Sequence, residues 1–247
     1  MTIVQLSFWG QVALAVLHVF LIGAAAAMAE AQTSASANLP DVDISSYPWS
    51  SIAKLNNSVG GSCTAVAIEQ DKVLTAAHCI FNRRTSRFLG PGSLHVLFGY
   101  ERGKYTVHAL VGDYSIGPGY DPADEFTTAS SDWAILHLLE PLPGAVRPLK
   151  FAGRLHTVPG SRLMIASYAL RRPHILTADT NCEVLGQVPG SALFEHTCHV
   201  GQGSSGAPLL LMEGGNAFIV GMQVAMRRQP APHIMLAISA TALSRQQ

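Results

Sequence analysis

Charge is scarce in this chain. Sixteen basic and sixteen acidic residues among 247 give a formal net charge of zero. No basic field therefore exists to hold a nucleic acid. The groups Arg83-Arg84 with Arg87, Arg171-Arg172 and Arg227-Arg228 read as solvated loops. Helical pattern is scarce too, since only Ala240 to Arg245 looks helical. Beyond residue 29 no segment is apolar for long enough to make a second membrane span. There are four cysteines, Cys63, Cys79, Cys182 and Cys198, in two pairs of equal separation. Four cysteines allow three connectivities, and sequence alone does not choose among them. The cluster His196, Cys198, His199 fits no usual zinc spacing, so no metal site is expected.

What is present begins with an apolar stretch from Ile3 to Ala29, followed by small residues and the polar run Glu30 to Asn38. This is the pattern of a cleavable secretory signal, and cleavage after Ala29 or after Ala31 fits equally well. No Lys or Arg precedes the apolar run, and the run is long enough to span a bilayer, so an uncleaved anchor is the alternative. The expected organisation is a signal over residues 1–29 (or to 31), a flexible segment or short propeptide over 30–46, and one domain over 47–247. After signal removal no membrane association is expected, and the location is secreted or periplasmic.

The domain reads as many short strands. They are expected over Trp49 to Leu55, Cys63 to Ile68, Leu94 to Phe98, Tyr105 to Val111 and Trp133 to Leu139. A second set is expected over Arg162 to Ser167, Cys182 to Gly186, Ala192 to Thr197, Pro208 to Met212, Phe218 to Val224 and His233 to Ile238. Turn signals such as Gly90-Pro91-Gly92, Gly117-Pro118-Gly119 and Gly214-Gly215 separate them. Strands this short and dense indicate an all-β barrel or sandwich. The stretch Pro141 to Pro148 makes a connection between two halves.

Three segments carry chemistry: Thr75-Ala76-Ala77-His78-Cys79, Ser131-Asp132-Trp133-Ala134-Ile135-Leu136 and Gly203-Ser204-Ser205-Gly206-Ala207-Pro208. A serine hydroxyl is a poor nucleophile until a base takes its proton. The base in turn needs a carboxylate to fix its tautomer and stabilise its charge. Asp113 and Asp124 compete with Asp132 for the carboxylate role, and Ser204 competes with Ser205 for the nucleophile. The order and spacing of these segments resemble the chymotrypsin/trypsin-like serine proteases, in the compact form of bacterial members.

The resemblance implies two six-stranded antiparallel barrels, about 47–140 and about 149–240, with a short C-terminal helix and the site in the cleft between them. It implies His78 as general base, Asp132 as orienting carboxylate and Ser205 as nucleophile, with the N–H groups of Gly203 and Ser205 as the oxyanion hole. It also implies the pairings Cys63 with Cys79 and Cys182 with Cys198. Each bridge closes a loop of about 15 residues and contributes roughly 3 kcal/mol in the chain-entropy estimate, and such bonds persist outside the cytosol. No cofactor is implied.

Two departures from the family stand out. Animal members carry Asp directly before the nucleophile, where it pairs with a freed amino terminus, whereas this chain has Ser204. The position six before Ser205 is His199 rather than an acid, so the charge partner for Lys or Arg is missing. Glutamate-specific bacterial relatives use a histidine on a later strand, and the matching position is Gln223. Val224 and Met226 would wall a pocket with His199 at its base, open to a medium apolar or polar residue. The expected function is a monomeric serine endopeptidase acting on protein or peptide substrates. The alternative is a catalytically inactive binding protein on the same fold, and a smaller alternative is an esterase using the same three residues.

Overall fold

A computed structural model describes residues 39–153, 158–227 and 234–246. The expected signal, residues 30–38 of the following segment and His233 lie outside the described residues. Strand periodicity sets the architecture, because alternate side chains point to opposite faces. Three strands open the chain: β1 (Ile52–Asn57), β2 (Ser62–Ala67) and β3 (Lys72–Thr75). A short ribbon of β4 (Phe81–Asn82) and β5 (Arg87–Phe88) precedes β6 (Leu94–Phe98), β7 (Val107–Ile116) and β8 (Ala134–Leu138). On β6, Leu94, Val96 and Phe98 are buried while His95 is half-exposed. On β7, Ala109 and Val111 are buried while His108 and Leu110 are exposed. These faces close into an antiparallel barrel in the order β1-β2-β3-β8-β7-β6.

The second half contains β9 (Lys150–Phe151), β10 (Arg162–Ser167), β11 (Thr177–Gln187) and β12 (Leu193–His196), then β13 (Pro208–Glu213), β14 (Asn216–Arg227) and β15 (Ile234–Ser239). The sheet order β13-β10-β11-β12-β15-β14 closes through β13–β14 pairing, giving a second six-stranded antiparallel barrel. The two-residue β9 lies parallel to β14 beside it. The chain ends in the short helix α1 (Ala240–Leu243) and a 3-10 turn. Leu163, Ile165, Val184, Phe194, Leu209 and Val220 fill the second barrel. The larger cluster fills the first barrel and continues through Tyr168, Leu176 and Met222 into the seam. Among the described residues no helix is long and apolar enough to cross a membrane.

Several strands differ in extent from the sequence reading. Trp49–Ser51 form a 3-10 turn closed by the Ser51 N–H on the Pro48 carbonyl, so β1 starts at Ile52. β7 starts at Val107, not Tyr105, and runs on to Ile116. The expected strand stops at Val111, but a bulge between Val111 and Asp113 carries the ladder on. A second bulge, at Gln223/Ala225, lets β14 run to Arg227. β3, β4, β5 and β9 lie outside the expected strands, being only two to four residues long.

Residues 39–48 lie along the second barrel. Asp41 bridges to Thr177, and the Arg172 guanidinium pairs with the Asp41 carboxylate. The Tyr47 hydroxyl accepts from the Ala217 N–H at 2.8 Å. The linker between barrels docks on the first one, with the Leu149 N–H donating to the Ala67 carbonyl at 2.9 Å.

Candidate active site

β3 leads into a 3-10 turn, Ala77–Ile80, that carries His78. Thr75, Ala76 and Ala77 are fully buried, so the small alanines let this turn press against the barrel. Cys79, on the same turn, is bonded to Cys63 of β2. A second 3-10 turn, Ala129–Ser131, delivers Asp132 to the head of β8. Asp132 is buried, and both its oxygens engage His78. Oδ1 accepts the His78 backbone N–H at 2.9 Å, and Oδ2 lies 2.6 Å from Nδ1. Nδ1–H therefore donates, which leaves Nε2 bare and able to accept a proton. Burial by itself pulls the His78 pKa down. The hydrogen bond and charge of Asp132 outweigh it and leave the pKa above the ordinary histidine value. Asp113, on β7, and Asp124 are exposed and bind nearby backbone amides, at Tyr114 and Thr127.

The turn bearing Ser205 is fastened to the first barrel. The Thr64 N–H donates to the Ser205 carbonyl at 3.0 Å, and Thr64 Oγ1 donates to the Gly203 carbonyl at 3.0 Å. Thr75 Oγ1 donates to the Thr64 carbonyl at 2.9 Å, joining this anchor to the histidine turn. Cys79 Sγ lies 3.9 Å from the Ser205 carbonyl oxygen. Gly206 has φ +82°, and a Cβ there would stand 2.2 Å from the Thr64 carbonyl oxygen and 3.1 Å from the Ala76 nitrogen. Gly203 has φ +90°, and a Cβ there would stand 2.7 Å from the Tyr168 carbonyl oxygen. Only glycine meets both demands at each position. Among the described residues, neither the Gly203 nor the Ser205 N–H has a protein acceptor, and Ser205 Oγ has no hydrogen-bond partner.

Ser204, directly before Ser205, is fully buried. Its hydroxyl lies 2.7 Å from the Ser167 hydroxyl and accepts the Gly201 N–H at 3.3 Å. A neutral pair thus fills the place where an ion pair would require a charged amino terminus. Sequence reading missed Thr64 and Ser167 as site supports. Each is an ordinary strand residue with no local signal, and each acts through a contact with another segment.

Of the expected pocket residues, His199 is half-exposed. Its Nδ1 lies 2.9 Å from Asp179 Oδ2, which also accepts its backbone N–H at 2.8 Å. Gln223 is buried on β14, where its backbone brackets the nucleophile turn: Gly206 N–H donates to its carbonyl and its own N–H donates to Ala207, both at 2.9 Å. Its side-chain amide donates to the Ala225 carbonyl at 2.8 Å, and Oε1 lies 2.8 Å from His196 Nε2. Burial pulls the His196 pKa down to about 4. The ring is therefore neutral and donates Nε2–H to Gln223. Val224 is buried in the seam cluster and Met226 is half-buried on the same strand.

The second disulfide joins Cys182 to Cys198, so Cys198 offers no thiolate beside His196 and His199. Among the described residues one group has three metal-type ligand atoms close together, Cys63, His78 and Cys79. Its two sulfurs are bonded to each other.

Residues 63–222 match the model of the trypsin-like peptidase domain. A glutamyl endopeptidase of Bacillus licheniformis is 24% identical over 170 residues, covering 66% of this chain and 49% of that protein. The chain thus spans about half the length of that curated relative. The family match takes in well over half of the chain, across both barrels and all three chemistry-bearing segments: the chain belongs to the trypsin-like peptidase domain family.

Proposed function

We propose that this chain is an exported serine endopeptidase working through His78, Asp132 and Ser205. The observation that carries the reading is the pair of N–H groups at Gly203 and Ser205, both without an acceptor among the described residues, on the turn that bears the hydroxyl. Beside that turn stands a histidine whose Nε2 is kept bare by a buried carboxylate. In the reaction, His78 Nε2 takes the Ser205 proton as Oγ attacks the scissile carbonyl. The two N–H groups hold the resulting oxyanion, and losing one such donor typically costs about 100- to 1000-fold in rate. His78 then protonates the leaving amine, giving an acyl-enzyme, and water activated by the same ring releases the acid. Unliganded sites commonly hold the base and hydroxyl apart and draw them together when substrate binds.

The direct test is labelling with a fluorophosphonate, which reports an activated serine without a known substrate. An adduct located on Ser205 by mass spectrometry supports the reading, and an unmodified Ser205 rejects it. A pH profile supplies a second test. The Asp132 contact raises the His78 pKa, so kcat/KM falls as pH drops, with a midpoint above the ordinary value of about 6.5. A flat profile between pH 5 and 8 removes His78 as base.

The two disulfides suit an oxidising compartment, either the periplasm or the exterior. Substrates are proteins or peptides. The relative in Bacillus licheniformis is named for glutamate, but here the corresponding strand position is Gln223, whose amide is engaged by neutral His196 and by Ala225. The preference at the scissile bond is therefore for a medium apolar or polar residue. A peptide-library profile with glutamate ranked first would reverse this assignment.

A further inference from the structure

Lys54 sits in the middle of β1, in register with Thr64 on β2 and Leu97 on β6. It is only 4% exposed, although its neighbours Ala53 and Leu55 already occupy the barrel interior. The outer face of β1 and β2 is covered by the second barrel, and the Lys54 ammonium is enclosed there. Nζ donates to the Pro173 carbonyl and stands 4.8 Å from the centroid of the Tyr100 ring. Among the described residues no carboxylate forms an ion pair with it, and burial lowers its pKa from the ordinary lysine value. A buried ammonium without a carboxylate is a costly feature. A methionine would fill the same space without that cost.

The segment it grips leads to the nucleophile turn. Beyond Pro173, the His174 Nδ1 lies 2.7 Å from the Tyr100 hydroxyl, and the His174 carbonyl accepts the Arg102 N–H at 2.8 Å. Earlier in the segment, Leu170 N–H donates to the Gln202 carbonyl at 2.6 Å. The Tyr168 carbonyl closes against Gly203, and the Tyr168 hydroxyl donates to the Tyr100 carbonyl at 2.9 Å. Thr64, directly across the ladder from Lys54, holds Tyr168 N–H and the Gly203 carbonyl. Two cross-strand neighbours of the first barrel thus hold the segment 168–176 at Tyr168 and at Pro173, and the stretch Tyr168 to Leu170 backs Gln202-Gly203.

We propose that Lys54 is a positioning residue for the oxyanion donors: by clasping Pro173 across the seam it sets the 168–176 segment, and through Leu170 and Gln202 the aim of the Gly203 N–H. This rests on the peptidase reading above. Donors aimed at a developing oxyanion act on the transition state more than on bound substrate, and a misplacement of about 1 Å can cost about 100-fold. Lys54→Met is therefore expected to lower kcat about 10- to 100-fold, with KM held within about twofold and fluorophosphonate labelling slowed in proportion. Tyr100→Phe, which frees His174 but leaves the ammonium in place, should lower kcat several-fold with KM unchanged. The double variant should lose less than the product of the two single losses, because both act on one segment.

The assays are run well below the thermal midpoint of each variant, measured separately. A Lys54→Met protein that melts earlier but keeps wild-type kcat overturns the proposal, as does one whose KM rises while kcat holds. If that variant does not accumulate, an unchanged kcat in Tyr100→Phe overturns it equally. Wild-type protein that fails to label at Ser205 removes the peptidase reading and this proposal with it. Labelled wild type beside an unaffected Lys54→Met removes the clasp alone.

Discussion

Ser205→Ala is expected to lower kcat by at least about 10⁴-fold while KM moves by no more than a few-fold. Removing the nucleophile of such a constellation abolishes the covalent route, and what survives comes from substrate binding and the oxyanion donors. The substitution removes one oxygen that has no hydrogen-bond partner among the described residues. The turn itself is held by the Thr64 hydroxyl on the Gly203 carbonyl and the Thr64 N–H on the Ser205 carbonyl, so the variant should fold and melt as wild type does. Steady-state kinetics on a casein-type or library substrate, with fluorophosphonate labelling alongside, provides the measurement. Residual activity within tenfold of wild type would move the nucleophile elsewhere, with Ser204 the neighbour to examine. A protein with no turnover before the change, and the same peptide affinity after it, would be a binding relative on a peptidase fold.

Asp132→Asn should cost nearly as much, about 10⁴-fold in kcat near neutral pH. The asparagine can keep its carbonyl oxygen on the His78 backbone N–H, where Oδ1 now sits at 2.9 Å. Its NH₂ group then faces Nδ1 and forces that nitrogen to accept. The ring proton moves to Nε2, which points its hydrogen toward the serine and leaves no base. The asparagine is also neutral, so the imidazolium formed during attack loses its counter-charge. The shape is conserved at a buried site, so the thermal midpoint should change little. A loss below about tenfold would remove Asp132 from the reaction and reopen Asp113 and Asp124.

How much of this was legible in the sequence follows the range of the interactions. The histidine and serine turns were readable because their demands are local: small residues beneath His78, and glycines at 203 and 206 where the backbone has positive φ and no room for Cβ. Asp132 had competitors because an aspartate before a strand has no local signature, and only the contact at 2.6 Å singles it out geometrically. The two barrels were legible through the density of short strands, although the bulges in β7 and β14 hid their full length. The supports around the site were not legible. Thr64, Ser167 and Lys54 look like unremarkable strand residues, and each acts on a partner 37 to 139 residues away. The pocket was hard for the same reason, since the state of Gln223 depends on His196, 27 positions earlier on another strand.

Those long ties have a consequence for when the site can be assembled. Thr64 meets Gly203 across 139 positions, and Tyr47 meets Ala217 across 170. A polypeptide made from its amino end displays His78 and Asp132 while the strands that shape the serine turn do not yet exist. No fragment lacking β14 has the Gln223 backbone that brackets Gly206. The neutral Ser204–Ser167 pair joins the same late assembly, since both of its partners lie in the second half of the chain.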